Sequence, residues 1–232
     1  MKAEPDLESQ DDAGAPSAPA GPGPVGSRDK ILDVGEALFA RRGYAGVGLR
    51  EVAARVGLGK SSLFHHFRSK GSLYLCVLQR VFERIDERVR PSLDGEGTPA
   101  ERLERCVDAL IDALAEHPAT GRLLLRGLFE DDDLPAESEA ELAATERALE
   151  RLVGRLLGLL REGVESGAFR PVSPPQVLQT LIGAVVYHFA SGEFGESLTG
   201  APLFSSEAVR RRKDEINQML RRGLAPDPAP AV

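Results

Sequence analysis

A chain of 232 residues can bury a sizeable core in one or two units, and its 42% hydrophobic and 28% charged residues are the composition of a soluble globular protein. No apolar run approaches the roughly 18 to 20 residues that cross a bilayer, and the opening MKAEPDLESQDDAGAPSAPAGPGPVG lacks the basic end and apolar stretch of a signal peptide. A formal net charge of −7 argues against indiscriminate binding to nucleic acid.

Residues 1–26 are rich in Pro, Gly, Ala and acids. They hold too little apolar surface to offset ordering entropy and read as a disordered tail. Ile31, Leu32, Val34, Leu38 and Phe39 recur at helical spacing until Gly43 stops the segment. A short helix over 49–56 follows, then a turn at Gly57-Leu58-Gly59, then a second short helix to about Phe67. A fourth helix is expected from Lys70 towards Val89, ending before Pro91. A Gly-containing loop over 92–99 precedes helices at about 100–116, 119–130 and 137–166. Ser173-Pro174 is a helix-start signal and opens a segment to about Ser191. A last helix runs from Ser205 or Ser206 towards Arg222, and residues 225–232 alternate Pro and Ala as a loose end. Strand-like alternation is absent, so the fold class is all-α. With Cys76 and Cys106 as the only cysteines, a reducing cytoplasm is the expected location.

The charge is unevenly spread. Residues 1–27 hold one Lys against five acids, whereas residues 28–70 hold nine Lys and Arg against four acids. The largest basic surplus of this acidic chain therefore lies in one short segment.

Within that segment, LREVAARVGLGKSSLFHHFR (49–68) meets the steric demands of a helix-turn-helix. Ala53 is small where two helices must approach, and Gly57 sits where the first must end in a left-handed conformation. Val52, Val56, Leu58, Leu63 and Phe67 supply an inward apolar set. Lys60, Ser61, Ser62, His65 and His66 are left outward, small polar, basic and imidazole groups suited to a major groove. The same pattern also fits a plain helical hairpin with a solvated polar face.

The run GYAGVGLREVAARVGLGKSSLFHHFRSKGSLYLCVL resembles the DNA-binding signature of the TetR repressor family. The resemblance is carried by Gly43-Tyr44, Val52-Ala53, Gly57, Lys60, Leu63, His66-Phe67 and Ser69-Lys70, and is close over residues 28–82. It implies an N-terminal three-helix DNA-binding domain (27–72) followed by a helical ligand-binding and dimerisation domain (73–224). It further implies a DNA-facing set of Arg50, Lys60, Ser61, Ser62, Phe64, His65, His66 and Lys70. In this set the Lys70 ammonium and the backbone N–H groups around it hold a phosphate, and Tyr44 is a packing residue. Gly48 and Gly59 stand where the family usually has Ser or Thr, and Phe64 where Tyr is common. Each replacement removes a hydroxyl that often touches phosphate.

In 176–191, Leu178, Leu181, Ile182, Val185 and Phe189 with their apolar neighbours spread over more than one helix face, so two sides must be buried. The second side faces either the chain's own core or another subunit. Val209, Ile216, Met219 and Leu220 mark a stripe on the last helix, and Arg210, Arg211, Arg212 and Lys213 are expected to keep its other face wet. The resemblance implies a homodimer whose four-helix bundle is built from Leu178, Leu181, Ile182, Val185, Phe189, Val209, Ile216 and Leu220. Such a dimer reads a palindromic double-stranded operator with half-sites about 34–36 Å apart. A small-molecule effector is implied inside the helices between reader and bundle, with Cys106, Leu110, His117, Leu124, Phe129, Tyr187 and His188 as candidate lining.

No nucleophile elbow, phosphate loop or His-Glu-x-x-His pattern is present, and the adjacent His65 and His66 lie about 100° apart on a helix, too divergent to share a metal. No catalytic residue, metal or cofactor is therefore expected, nor a membrane partner. A repressor released by its effector is the expected function. The alternative is a helical protein-interaction module whose reader has lost DNA.

Overall fold

The computed structural model describes residues 26–129 and 138–226. The two expected tails fall almost entirely outside these. Ten helices and no strand occur among the described residues: α1 (Ser27–Arg42), α2 (Leu49–Val56), α3 (Lys60–His66), α4 (Lys70–Leu93), α5 (Pro99–Glu116), α6 (Thr120–Phe129), α7 (Glu139–Glu165), α8 (Pro174–Ala190), α9 (Glu193–Thr199) and α10 (Ser206–Leu224).

One continuous apolar core joins all of them but α9. In α1 it takes Ile31, Leu32, Leu38 and Phe39, in α2 and α3 Val52, Ala53, Leu63 and Phe67, and in α4 an inward stripe from Leu73 to Leu93. The long α4 is the spine: α1, α5 and α7 all pack on it, α7 from Ser72 and Leu75 onward. The expected boundary at residues 72 and 73 therefore falls in the first turn of a continuous helix.

Most helix ends have a local cause. Gly57 ends α2 at φ 74°, in the left-handed region that only glycine enters freely, and Leu58 N–H then bonds back to Ala53 O at 2.9 Å. Thr98 and Glu101 form a reciprocal capping box that starts α5, with Pro99 in its first turn. Ser205 caps α10 by accepting from Ala208 N–H at 3.2 Å.

Three expectations are corrected. Helix α4 continues through Pro91 to Leu93, because a proline in the last turn forfeits a single bond while Val89 and Leu93 remain anchored in the core; Arg102 then donates to the Leu93 carbonyl. The seven-residue α9 was not foreseen, being too short for a periodic signal. Lys213 is not left in solvent: it pairs with Asp112 at 2.7 Å, and with Asn217–Asp108 and Arg221–Glu104 it forms a polar ladder tying α10 to α5 once per turn. No helix among the described residues is long and apolar enough to cross a membrane.

Candidate nucleic-acid interface

The reader is locked from below. Leu63 of α3 and Phe67 just beyond its end are fully buried in one cluster with Val52 and Ala53 of α2 and the inward face of α1. That leaves Lys60, Ser61, Ser62, Phe64, His65 and His66 exposed together on one convex ridge, with Arg50 exposed at the start of α2. Lys60 Nζ lies 5.4 Å from the Phe64 ring centroid, and the His65 and His66 rings meet edge-on at 5.8 Å. Ser61, Ser62 and the two imidazoles thus present mixed donors and acceptors to a groove.

Not all of the basic surplus faces outward as free charge. Arg42 and Arg55 both pair with Glu51, at 2.7 and 3.0 Å. Arg28 stacks over the Phe67 ring at 5.4 Å. Gly48 and Gly59 cap α2 and α3 with no side-chain bond, and open space surrounds the position a Cβ would take at either.

Lys70 is placed differently from the expectation. It is half-buried, and its Nζ donates to Tyr44 O at 3.0 Å while lying 4.2 Å from the Tyr44 ring centroid. The Tyr44 ring in turn packs against Phe39 and Tyr74. Lys70 is thus a strap between the α1–α2 turn and α4. The start of α4 is also occupied: Ser69 Oγ accepts from Ser72 N–H at 3.0 Å and lies 3.3 Å from Ser138 Oγ, and Ser72 Oγ donates to Glu141 at 2.7 Å. The Ser72 N–H is thus already taken by Ser69, and the Glu141 carboxylate beside this helix start repels a phosphate.

The candidate effector residues do not converge. Cys106 and Leu124 are buried in the core, Leu110 is half-buried, and Tyr187 is 52% exposed. The side chain of Phe129 lies outside the described part of the structure. His117 borders a cleft of about 250 Å³ with Arg84, Arg88 and Glu116, where burial and the Arg84 charge depress its pKa. His188 borders a separate cleft of about 670 Å³ between the end of α8 and the start of α10, beside Arg211 and Arg212. Burial and the neighbouring Arg212 push the His188 pKa down to about 4. The Cys106 thiol is pushed up to about 12 by burial, so it is inert.

Leu178, Val185 and Phe189 are buried within a single chain, Val185 completely, whereas Leu181 and Ile216, also mostly buried, form part of the wall of an open groove. Ile182, Val209 and Leu220 are half-buried. What lies open is an apolar groove of about 410 Å³ between α8 and α10, lined among others by Val177, Thr180, Ala184, Leu220 and Met219.

Sequence reasoning missed Glu36. In the sequence it is one acid in a basic segment, yet it is buried in the inward face of α1. The available signal was an acid one turn from Leu32 and one from Phe39, on the side that must face the core.

The pattern for bacterial regulatory proteins of the tetR family matches residues 31–77, and that for the tetracyclin repressor-like C-terminal domain matches residues 99–220, more than half of the chain. The chain belongs to the TetR family. It is accordingly a DNA-binding transcription regulator. A TetR-family relative, the transcriptional activator FasR of Mycolicibacterium smegmatis, is 37% identical over 105 residues, 45% of this chain and 46% of FasR; the match thus spans less than half of that protein. The transcriptional repressor KstR2 of Mycobacterium tuberculosis is 28% identical over 144 residues, 62% of this chain and 70% of KstR2. Its structure, that of a ketosteroid transcriptional regulator, superposes with a TM-score of 0.67 at 22% identity, covering 88% of this chain and 98% of that one. AibR in complex with isovaleryl coenzyme A and operator DNA gives 0.66 at 21% identity, covering 84% and 97%. Both structures share the TetR fold.

Proposed function

We propose that this TetR-family protein is a cytoplasmic homodimeric repressor that holds a palindromic operator through α3 and releases it when a small organic effector binds the C-terminal helices. The observation that carries the reading is the ridge of α3. Every polar or basic side chain from Lys60 to His66 is exposed, while Leu63 and Phe67 fix the helix beneath. The residues proposed to meet DNA are Lys60, Ser61, Ser62, His65, His66 and Arg50. Phe64 adds an apolar contact, and Lys70 acts by holding Tyr44. The division into a reader (27–72) and an effector and dimer unit (73–224) goes with this, α4 passing from one to the other.

Repression follows from occupancy, since covering a promoter needs no further contact. The pairing face proposed is the outward stripe of α8 together with α10. For the effector, AibR binds isovaleryl coenzyme A, so acyl thioesters of coenzyme A are the first class to screen; the regulatory reading does not call for catalysis. Selection of bound sites from random double-stranded DNA tests the whole reading. Recovery of a palindrome with half-sites one turn apart supports it. Recovery of no sequence supports a protein-interaction module, which the exposed Phe64 ring and the uncapped Gly48 and Gly59 would suit.

A further inference from the structure

Four side chains meet where the reader joins the C-terminal helices. Glu36 of α1 is 6% exposed. Its Oε1 accepts from Arg84 at 2.8 Å and from the Thr120 hydroxyl at 3.0 Å, and its Oε2 accepts from Arg80 at 3.1 Å and from Arg84 at 3.2 Å. Arg84 also donates to Thr120 Oγ1 at 2.7 Å. One carboxylate thus holds α1, the middle of α4 and the first residue of α6. Burial alone would raise its pKa, but the bonds from Arg84 and Thr120 and the two guanidinium charges outweigh it and hold the carboxyl below its ordinary value.

A buried ion network of this kind is poor evidence for stability, because desolvation offsets most of the attraction. It does fix direction: two planar guanidinium groups and a hydroxyl leave the carboxylate one arrangement. The neighbouring contacts give that arrangement a lever. Helix α6 crosses α8 so closely that a Cβ on Gly121 would stand 3.2 Å from Phe189 Cβ and from Ala190 N. A displacement of α8 is therefore not absorbed between the two helices but carried to Thr120, one residue away, and from there to Glu36.

We propose that the Glu36–Arg84–Thr120 cluster is the joint that sets the angle of the DNA reader on the C-terminal helices, with Glu36 as its positioning residue. The joint rests on the reading of the protein as a two-fold operator binder. An angle matters only when two readers must meet two half-sites at once; a single half-site can be met at any angle.

The test compares full-length protein on the selected palindrome and on a duplex carrying one half-site. Glu36→Gln and Thr120→Val should lower affinity for the palindrome roughly 5- to 150-fold and leave half-site affinity within about twofold. Thr120→Ser, which keeps the hydroxyl, should retain the wild-type ratio. Should Glu36→Gln fail to fold, the Thr120 pair carries the comparison alone. Equal losses on both duplexes would reduce the cluster to packing, and wild-type affinity on the palindrome in both variants would remove it from the reader altogether. A wild-type protein that prefers no two-fold site overturns the DNA reading, and the joint with it; a wild-type that does, beside indifferent variants, overturns the joint alone.

Discussion

Lys60 and Lys70 carry the same charge ten residues apart, yet their surroundings give them different work. Lys60 is exposed on the ridge of α3, whereas the Lys70 ammonium is engaged with the Tyr44 carbonyl and ring. Lys60→Ala should weaken binding to all DNA sequences, flatten the slope of log affinity against log salt by about one phosphate equivalent, and leave thermal stability nearly unchanged. Lys70→Ala should lower stability by about 1–2 kcal/mol, with a smaller change in salt slope. A Lys70→Ala protein as stable as wild type would show that the strap contributes nothing. His188 offers a second contrast at this scale. Its Nε2 is buried with no hydrogen-bond partner in the structure, and its pKa falls from 6.5 to about 4. Between those values the unfolded chain binds a proton that the folded chain refuses, so stability must fall as pH drops through that window. His188→Gln should show a flatter dependence of the urea midpoint between pH 6.5 and 4. Parallel curves for the two proteins would remove His188 from the acid response.

At the scale of helices, α7 holds three glycines whose surroundings differ sharply. A Cβ on Gly163 would lie 2.1 Å from the Phe169 ring, whereas Gly154 and Gly158 face open space. The chain turns back after α7 by laying Phe169 across Gly163, with Phe169 N–H bonded to Gly163 O at 2.8 Å. Gly163→Ala should therefore cost about 1–3 kcal/mol, while Gly158→Ala should stabilise the helix by about 1 kcal/mol. Denaturant titration distinguishes the two, and losses of equal size would show that the ring moves aside freely. These glycines look alike in sequence, which marks the limit of what the pattern conveys. Helix periods, the Gly57 turn, a serine start at 205 or 206 and the inward Leu63–Phe67 pair follow from local rules and could be read directly. Features made by meetings across the chain could not: the Lys70–Tyr44 strap, the ladder from α10 to α5 and the partners of Glu36 join residues 26 to more than 100 positions apart. The candidate effector residues lie apart for the same reason, since polarity within an apolar helix cannot say which cavity, if any, that side chain borders.

For the whole molecule, the deciding quantity is how many readers meet the DNA. A net charge of −7 disfavours a polyanion overall and α3 is only seven residues long, so one protomer offers a small footprint, and tight specific binding calls for two readers on one duplex. The face proposed to pair them is the stripe of α8 at Val177, Thr180, Ala184 and Tyr187, spaced three and four residues apart along one side, with the 64%-exposed Met219 of α10 beside the groove. A charge placed in that stripe and a charge placed in the protomer core have opposite consequences. Val185→Glu would bury a carboxylate with no partner inside one chain, where Val185 is 0% exposed, and should unfold it without saying anything about pairing. Met219→Glu sits in solvent in a lone protomer and should keep the helical content and the unfolding midpoint of the monomer. In a pair it would force a carboxylate into an apolar contact close to its two-fold mate, so sedimentation should show the monomer. Operator affinity should then collapse towards that of a half-site, because the two readers no longer bind as one ligand. A folded Met219→Glu protein that sediments as a dimer would move the interface to another face, and a monomer with undiminished operator affinity would show that a single reader suffices.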